Sequence, residues 1–417
     1  MFEKWVMRAH DRARLESSAL CRELVAFAEL LESQGYRPLT LRRYLFAAAT
    51  FVGWIRRRGC AIDEVDESRV QRFIAGHRRQ RRRGRHLGRL PTATSGVHRF
   101  VQMLRARGVM PAAASVRAGP IDEVVAAFDS HLEHVAGLAI GTRRIYGRYA
   151  RALLDTRFGT TVPDLRAIKA EHVSEFVGSH VGRLKASARR LPATATRTFL
   201  RFLISQGLVA DGLVGAVPSV RQWKHASLPS FLSAQELAAV FAACPLATPT
   251  GRRDHAVVMT LSRLGLRACE LASLRLDDVR WHEAVVSVRG AKSGRERVLP
   301  LPEDVGVAIT GYLRNGRPPS KRREMFLAVH APYDALSPAA VSALVARSLK
   351  RAGVRTAHRG AHVLRHTAAT RMVRAGATFK QVADVLGHAR IETTTIYAKL
   401  DVDTLARVTL PWPKAAS

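Results

Sequence analysis

Several residue types that mark other protein classes are scarce in this chain of 417 residues. It has four cysteines, and no two of them are close enough to form a CxxC pair, so neither a disulfide scaffold nor a cysteine-based zinc site is supported. No stretch approaches the roughly 18 uninterrupted apolar residues of a membrane span. The N-terminus lacks the apolar core of a secretory signal. We therefore expect a cytoplasmic protein without a membrane partner.

Acidic residues are also scarce. Asp and Glu number 34 against 67 Lys and Arg, which leaves a net charge of +33. An enzyme that acts on a small anionic metabolite needs far fewer positive charges, so the excess predicts a polyanionic partner, with nucleic acid as the first candidate. Arginine supplies 57 of the 67 basic residues. Genomic base composition is one explanation of that bias, and the ability of arginine to bond two phosphate oxygens at once is another.

Length and composition predict more than one folded domain. Hydrophobic residues make up 47% of the chain, which is enough for packed cores and argues against global disorder. Seams rich in Pro, Gly, Ala and Ser lie near 111–120 and 217–229 and read as exposed connections. The predicted division is 1–112, 119–217 and 228–411, followed by a short tail at 412–417.

The first two blocks resemble each other. The segment 40–44 (TLRRY) matches 142–146 (TRRIY) at an offset of 102 residues, and 70–73 (VQRF) matches 173–176 (VSEF) at an offset of 103. Apolar residues recur every three to four positions in both blocks, which indicates helices. Chance similarity between amphipathic helices is the alternative, but order and spacing agree over about 75 residues. The pattern favours a tandem pair of small helical domains.

A run of arginines interrupts the first block between residues 77 and 89. It contains seven arginines and no acidic residue, and the second block has no counterpart. A solvated helix face or a disordered arm is one interpretation, and contact with the DNA backbone is the other. The residues we assign to the DNA-contact hypothesis are Arg78, Arg79, Arg81, Arg82, Arg83 and Arg85.

The third block has a different pattern. Ser233 followed by Glu236 forms a capping-box signature, and 284–289 and 297–301 read as two short strands joined by a turn at 291–294. Helices are expected over most of the remainder, including 367–376 and 378–387, each ending at a glycine. The predicted fold class is mainly α with a small β-sheet.

The same block contains six residues, cationic apart from a final tyrosine, in a fixed order. Arg267 lies in LGLRACEL, Lys292 in the predicted turn, and HVLR and LGH are followed by a tyrosine nine residues later. This pattern resembles the catalytic domain of tyrosine recombinases of the phage integrase family over about 228–405. The matching residues are Arg267, Lys292, His362, Arg365, His388 and Tyr397.

The resemblance implies a site-specific DNA recombinase that works by transesterification, without metal, ATP or another cofactor. It implies that Arg267 and Arg365 bind the non-bridging phosphate oxygens, with a further hydrogen bond from His388. It assigns Tyr397 as the nucleophile that forms a 3′-phosphotyrosyl link, His362 as its base and Lys292 as the general acid. No acidic cluster of metal-ligand type lies near these residues in the sequence, in agreement with that chemistry.

Two neighbours of these residues need separate interpretation. Glu270 lies three residues after Arg267, so on a helix the two would share a face, and we expect it to orient Arg267 rather than act as a base. His366 is adjacent to Arg365, and we expect it to point away from the face that carries His362 and either to have a structural role or to support the catalytic residues from behind.

Family resemblance also implies that the helical blocks are SAM-like DNA-binding domains. Residues 119–217 would be the core-binding domain, and 1–112 an additional domain of similar origin. The implied assembly is a homotetramer on two paired DNA sites, with sister recombinases as further candidate partners. An integrase or transposase of a mobile element is the leading interpretation. A type IB topoisomerase-like activity and a non-catalytic DNA-binding factor are alternatives, and an RNA binder lacks a supporting aromatic motif.

Overall fold

The computed structural model describes residues 1–82, 90–111, 119–159, 161–184, 188–220, 230–290, 296–357 and 359–388, with backbone alone at 77–82 and 90–93. The chain divides into two compact units. One comprises Met1–Ala28 and Leu39–Lys224, and the other comprises Glu29–Pro38 and His225–Ser417.

The described residues before 221 form helices and no strand. The helices are α1 (Ala9–Glu16), α2 (Cys21–Ser33), α3 (Pro38–Arg56), α4 (Glu67–Arg82), α5 (Leu90–Ala106), α6 (Pro120–His134), α7 (Ile140–Phe158), α8 (Ala170–Val181) and α9 (Arg190–Ser205). Short 3-10 turns lie at Ile62–Glu64, Leu165–Ala167 and Asp211–Val214. This order agrees with the helical pattern predicted for both blocks.

Aromatic pairs lie at the centre of each set of helices. The rings of Phe27 and Phe100 are 5.2 Å apart and inclined at 57°, and those of Phe128 and Phe199 are 5.0 Å apart and inclined at 63°. All four side chains are fully buried. Each buried ring contributes on the order of 1.5–3 kcal/mol from the hydrophobic effect, and each tilted pair adds about 0.5–1.5 kcal/mol. These pairs therefore anchor α2 to α5 and α6 to α9.

The part of the second unit described from residue 230 onward combines helices with a small sheet. Its helices are α10 (Ala234–Ala242), α11 (Pro249–Leu264), α12 (Ala268–Ser273), α13 (Glu303–Asn315), α14 (Pro338–Arg351), α15 (Ala361–Arg374) and α16 (Phe379–Leu386). Strands β1 (Val279–Arg280), β2 (Val285–Arg289) and β3 (Glu296–Pro300) form an antiparallel sheet in the order β1-β2-β3. Helix α11 is buried along most of its length, so the other elements pack around it.

The predicted hairpin is confirmed, with Val286 opposite Leu299 and Val288 opposite Arg297. Strand β1 was not predicted, because two residues are too short to show an alternating pattern. The capping box at α10 is also present: the Ser233 hydroxyl accepts from the Glu236 amide, and the Glu236 carboxylate accepts from the Ser233 amide. The mainly α fold with a small sheet is therefore confirmed.

The start of α15 differs from the prediction. The helix begins at Ala361 and not at Thr367. Thr367 lies within the helix, where its hydroxyl donates to the Val363 carbonyl and accepts from the Leu232 amide. Its hydroxyl therefore joins a distant segment to the interior of the helix. Helix α16 follows the prediction, capped by Thr378 and ended by Gly387 in the left-handed conformation.

Candidate active site

Arg267 enters the site at the junction of two helices. Helix α11 ends at Gly265, which has the left-handed conformation (φ +65°), and Arg267 is then the N-cap residue of α12. The Glu270 carboxylate accepts from the Arg267 backbone amide at 2.8 Å and from its Nη1 at 2.8 Å. The expectation that the two residues share a helix face is wrong, because Arg267 precedes the helix. A capping arrangement brings them together instead.

Glu270 lies at the centre of the described site and its side chain is fully buried. Arg297 binds it with two hydrogen bonds, from Nη2 to Oε2 at 2.8 Å and from Nη1 to Oε1 at 3.2 Å. Burial raises the pKa of Glu270, but hydrogen bonds from Arg297 and from the Arg267 amide outweigh burial, so the net pKa lies below its ordinary value. Glu270 is therefore ionised and compensates arginine charge in the interior.

Arg365 is almost completely buried, with 5% of its side chain exposed. Its Nη1 donates to the Gly265 carbonyl at 2.7 Å and its Nη2 to the Leu386 carbonyl at 2.8 Å. Its Nη1 also lies 4.0 Å from Glu270. These contacts connect the end of α11 with the end of α16.

His388 directly follows the left-handed Gly387 at the end of α16. Its backbone amide donates to the Ala383 carbonyl at 2.9 Å, which fixes the direction in which the chain leaves the helix. Burial lowers the pKa of His388 to about 4, and the positive charges of Arg365 and Arg267 act in the same direction. The imidazole is therefore neutral near pH 7.

His362 and His366 lie on one face of α15. Their rings are 6.2 Å apart, and His362 is exposed whereas His366 is half-buried. The expectation that His366 points away from His362 is wrong, because residues four apart stack on the same side of a helix. His366 also contributes electrostatically to the lowered pKa of His388.

The remaining predicted residues fall outside this geometry. Lys292 and Tyr397 lie outside the described residues, as do Arg83 and Arg85. The backbone of Arg78, Arg79, Arg81 and Arg82 belongs to α4, but their side chains are not described. Their predicted roles stay predictions.

Arg297 was missed in the sequence. It lies in β3, 27 residues from Glu270, and nothing in its neighbouring residues distinguishes it from an ordinary arginine of a short strand. Its 13% exposed side chain and its ion pair with Glu270 are products of tertiary packing. The nearest local signal was its position five residues after Lys292.

The described site is suited to an anion. Arg267, Arg297 and Arg365 surround the carboxylate of Glu270, so among the described residues three positive charges lie around one negative charge. Arg267 is 33% exposed, which leaves part of its guanidinium accessible. Guanidinium groups bind phosphate oxygens through charge-assisted hydrogen bonds. Among the described residues, no three or more His, Cys, Asp or Glu side chains form a group that could hold a metal ion.

Comparison with known proteins identifies the family. Residues 230–403 match the model of the phage integrase family. The integrase/recombinase y4rA of Sinorhizobium fredii is 33% identical over 396 residues, covering 94% of each chain. The tyrosine recombinase XerA of Thermococcus kodakarensis is 31% identical over 291 residues, which cover 69% of this chain and 94% of that protein. The chain belongs to the phage integrase family of tyrosine recombinases.

Solved structures support the same fold. XerH site-specific recombinase bound to difH DNA superposes with a TM-score of 0.54 at 19% identity, over 70% of this chain and 89% of that one. A lambda integrase dimer bound to a core site superposes with a TM-score of 0.53 at 16% identity, over 70% of this chain and 98% of that one. None of the helices in the described residues of this recombinase is long and apolar enough to cross a membrane.

Proposed function

We propose that this tyrosine recombinase cuts and rejoins DNA at a specific site through a 3′-phosphotyrosyl intermediate on Tyr397. The observation that carries the proposal is the arrangement of Arg267 and Arg365, both held against the end of α16 that leads into His388. Two arginines and a histidine from three separate segments thus meet at one place. Tyr397 follows His388 by nine residues.

The arginines stabilise the charge that develops on the phosphate. Attack at phosphorus concentrates negative charge on the non-bridging oxygens, and preorganised guanidinium groups offset that charge. Glu270 holds the Arg267 guanidinium by its Nη1 while the side chain remains partly accessible. Neutral His388 has one ring N–H to donate to the same phosphate.

Proton transfer accompanies the exchange of one ester for another. The Tyr397 hydroxyl loses its proton to His362, which is exposed at the start of α15, and the phenolic oxygen bonds to phosphorus. The bond to the 5′-oxygen breaks, and Lys292 protonates that oxygen. A 5′-hydroxyl from another strand then attacks phosphorus and gives its proton to Lys292, while the bond to Tyr397 breaks and His362 returns the proton to the phenolic oxygen, so the phosphodiester is restored without ATP.

We assign the reaction to the integration or transposition of a mobile element. Support comes from y4rA and from a second integrase/recombinase of Sinorhizobium fredii, y4rF, which is 33% identical over 97% of this chain and 94% of that protein. Both align over the N-terminal helical region as well as the catalytic region. The protein would then act on the DNA of the nucleoid.

We further propose that α2–α5 and α6–α9 are two copies of one SAM-like DNA-binding domain, within 1–112 and 119–217. Helices α3 and α7 both have 19 residues, and each is followed by a 3-10 turn of three residues. The Phe27–Phe100 pair recurs as Phe128–Phe199 with nearly the same spacing. The assembly on DNA would be a homotetramer, alone or with sister recombinases.

The test is to trap protein–DNA adducts in bacteria that carry the native flanking DNA. Denaturing isolation retains only covalent complexes, and sequencing of the attached DNA locates the site. We expect adducts from the wild type and from the matched control Tyr146→Phe, and none from Tyr397→Phe. Adducts that persist in Tyr397→Phe would contradict the assignment. Tight DNA binding without adducts, even with candidate sister recombinases present, would favour a non-catalytic DNA-binding factor.

A further inference from the structure

Three consecutive backbone carbonyls at the end of α16 are each bound by an arginine. Helix ends leave such carbonyls without partners inside the helix, and they carry partial negative charge. Val385 accepts from Arg297 Nε at 2.9 Å, Leu386 from Arg365 Nη2 at 2.8 Å, and Gly387 from Arg267 Nη2 at 3.0 Å. The segment that leads into His388 is therefore held at three successive points.

Arg297 is the member of this trio that the catalytic pattern does not include. Its Nε binds the Val385 carbonyl, and its Nη1 and Nη2 bind the two oxygens of Glu270. All three of its nitrogens thus donate to the protein itself, and its side chain is 13% exposed. These contacts suit a group that holds other residues in place rather than one that binds the reacting phosphate.

Gly387 shows how closely Arg297 approaches the His388 segment. A Cβ added at Gly387 would lie 2.8 Å from Arg297 Nη1 and 3.1 Å from its Cζ. The backbone and the guanidinium are therefore in direct contact at the residue before His388. A shift of Arg297 would change the direction in which the chain leaves α16.

Arg297 also connects this segment to the sheet. It is the second residue of β3 and pairs with Val288 of β2. Residues 291–295, which include Lys292, lie between these two strands in the sequence. A single guanidinium thus joins the hairpin of the general acid, the carboxylate behind Arg267 and the segment that leads to Tyr397.

We propose that Arg297 is a positioning residue for the transesterification, which fixes the His388 segment against the hairpin and the Glu270–Arg267 pair. This inference rests on the proposed function. It requires the bidentate geometry of arginine and not merely its charge. Lysine keeps the charge, but its donors all leave one nitrogen, so it cannot reproduce the planar fork whose three nitrogens meet both Glu270 oxygens and the Val385 carbonyl.

The first experiment compares Arg297→Lys and Arg297→Gln with the wild type. The substrate is a nicked duplex carrying the site that wild-type adducts mark in cells, and single-turnover cleavage is measured at saturating protein beside equilibrium binding of the same duplex. We expect both variants to bind within about twofold of wild type and to cleave roughly 10–100-fold more slowly, which corresponds to about 1.4–2.7 kcal/mol. Arg263→Lys alters a partly buried arginine paired with Asp304 elsewhere in the unit and should cleave like the wild type.

A second pair of variants covers the possibility that Arg297 variants fold poorly. Gly387→Ala forces alanine into a left-handed backbone conformation and displaces Arg297. Gly376→Ala introduces the same kind of backbone strain (φ +88°), but no atom lies within 4 Å of the added Cβ. We expect slow cleavage by Gly387→Ala and nearly normal cleavage by Gly376→Ala. Equal cleavage by the two would overturn the positioning role.

The outcomes separate this inference from the function on which it rests. If the wild type cleaves and Arg297→Lys cleaves at the same rate, the positioning role is refuted and the proposed function stands. If Arg297→Lys loses DNA binding in proportion to cleavage, Arg297 serves binding and the inference is also refuted. A wild type that forms no adduct refutes the proposed function and, with it, a positioning role in catalysis.

Discussion

Replacing Glu270 with glutamine should loosen the site even when no DNA is bound. The substitution keeps the size of the side chain but removes the negative charge that three arginines share. It also places an NH2 group where an oxygen now accepts from Arg267 or Arg297. Two donors would then face each other in a buried space.

The expected loss of local stability follows from the burial of the Glu270 carboxylate. Glu270 is fully buried, and its carboxylate accepts four hydrogen bonds, two from Arg267 and two from Arg297. Removal of one partner from a buried ion pair typically costs about 3–5 kcal/mol, because the remaining charge is left uncompensated. At about 1.4 kcal/mol per factor of ten, a loss of about 3 kcal/mol raises the population of the locally open state roughly a hundredfold.

Hydrogen exchange measured by mass spectrometry reports this loss of local stability for individual segments of the intact chain. The informative amides are those of Leu271, which donates to the Arg267 carbonyl, and His388, which donates to the Ala383 carbonyl. The matched control is Glu236→Gln, since Glu236 occupies the equivalent capping position in α10 and its hydrogen bonds involve no arginine. Glutamine also serves in a capping box, so the control should change exchange little.

We expect exchange in segments 268–274 and 383–388 to accelerate by about two orders of magnitude in Glu270→Gln and to stay near wild type in Glu236→Gln. Unchanged protection of both segments in Glu270→Gln would refute the view that this carboxylate holds the site together.

Three further predictions follow from charge. The difference in free energy of unfolding between wild type and Glu270→Gln should have its full value at neutral pH. It should shrink as the pH falls below about 4, because a carboxylate with a lowered pKa contributes stability above its unfolded value and loses it on protonation; chemical denaturation at several pH values tests this. NMR titration of His388, assigned with His388→Gln, should give a midpoint near 4, and a midpoint near 6.5 would contradict the buried, cationic surroundings. Replacing the arginines of 78–85 with glutamine should weaken DNA binding at every sequence. The slope of log affinity against log salt concentration should become shallower by about 0.9 for each phosphate that is no longer neutralised, and an unchanged slope would exclude backbone contact.

Local sequence patterns predicted those parts of the fold that depend on neighbouring residues. The hairpin, the cap at Ser233 and the end of α16 at Gly387 each follow from a few adjacent residues. Cap signals are ambiguous where a side chain has a distant partner. Thr367 is an example, because its hydroxyl binds the Leu232 amide 135 residues away, a contact that no neighbouring residue indicates.

The site was predictable to the extent that its residues occur in short motifs. Arg267, Arg365 and His388 each stand in a recognisable context, and the structure brings their segments together. Arg297 has no such context, since its partners lie 27 and 88 residues away in the chain. The error at His366 was of another kind, because the four-residue spacing from His362 already indicates a shared helix face.

The most direct test of the proposed mechanism is to identify the amino acid that carries the DNA. Adducts would be digested with nuclease and then with trypsin, which cuts after Arg390 and Lys399 and releases the peptide 391–399 with Tyr397 as its one tyrosine. We expect mass spectrometry to find a nucleotide linked through phosphate to Tyr397 in this peptide. A nucleotide on any other residue, with peptide 391–399 recovered unmodified, would contradict the mechanism.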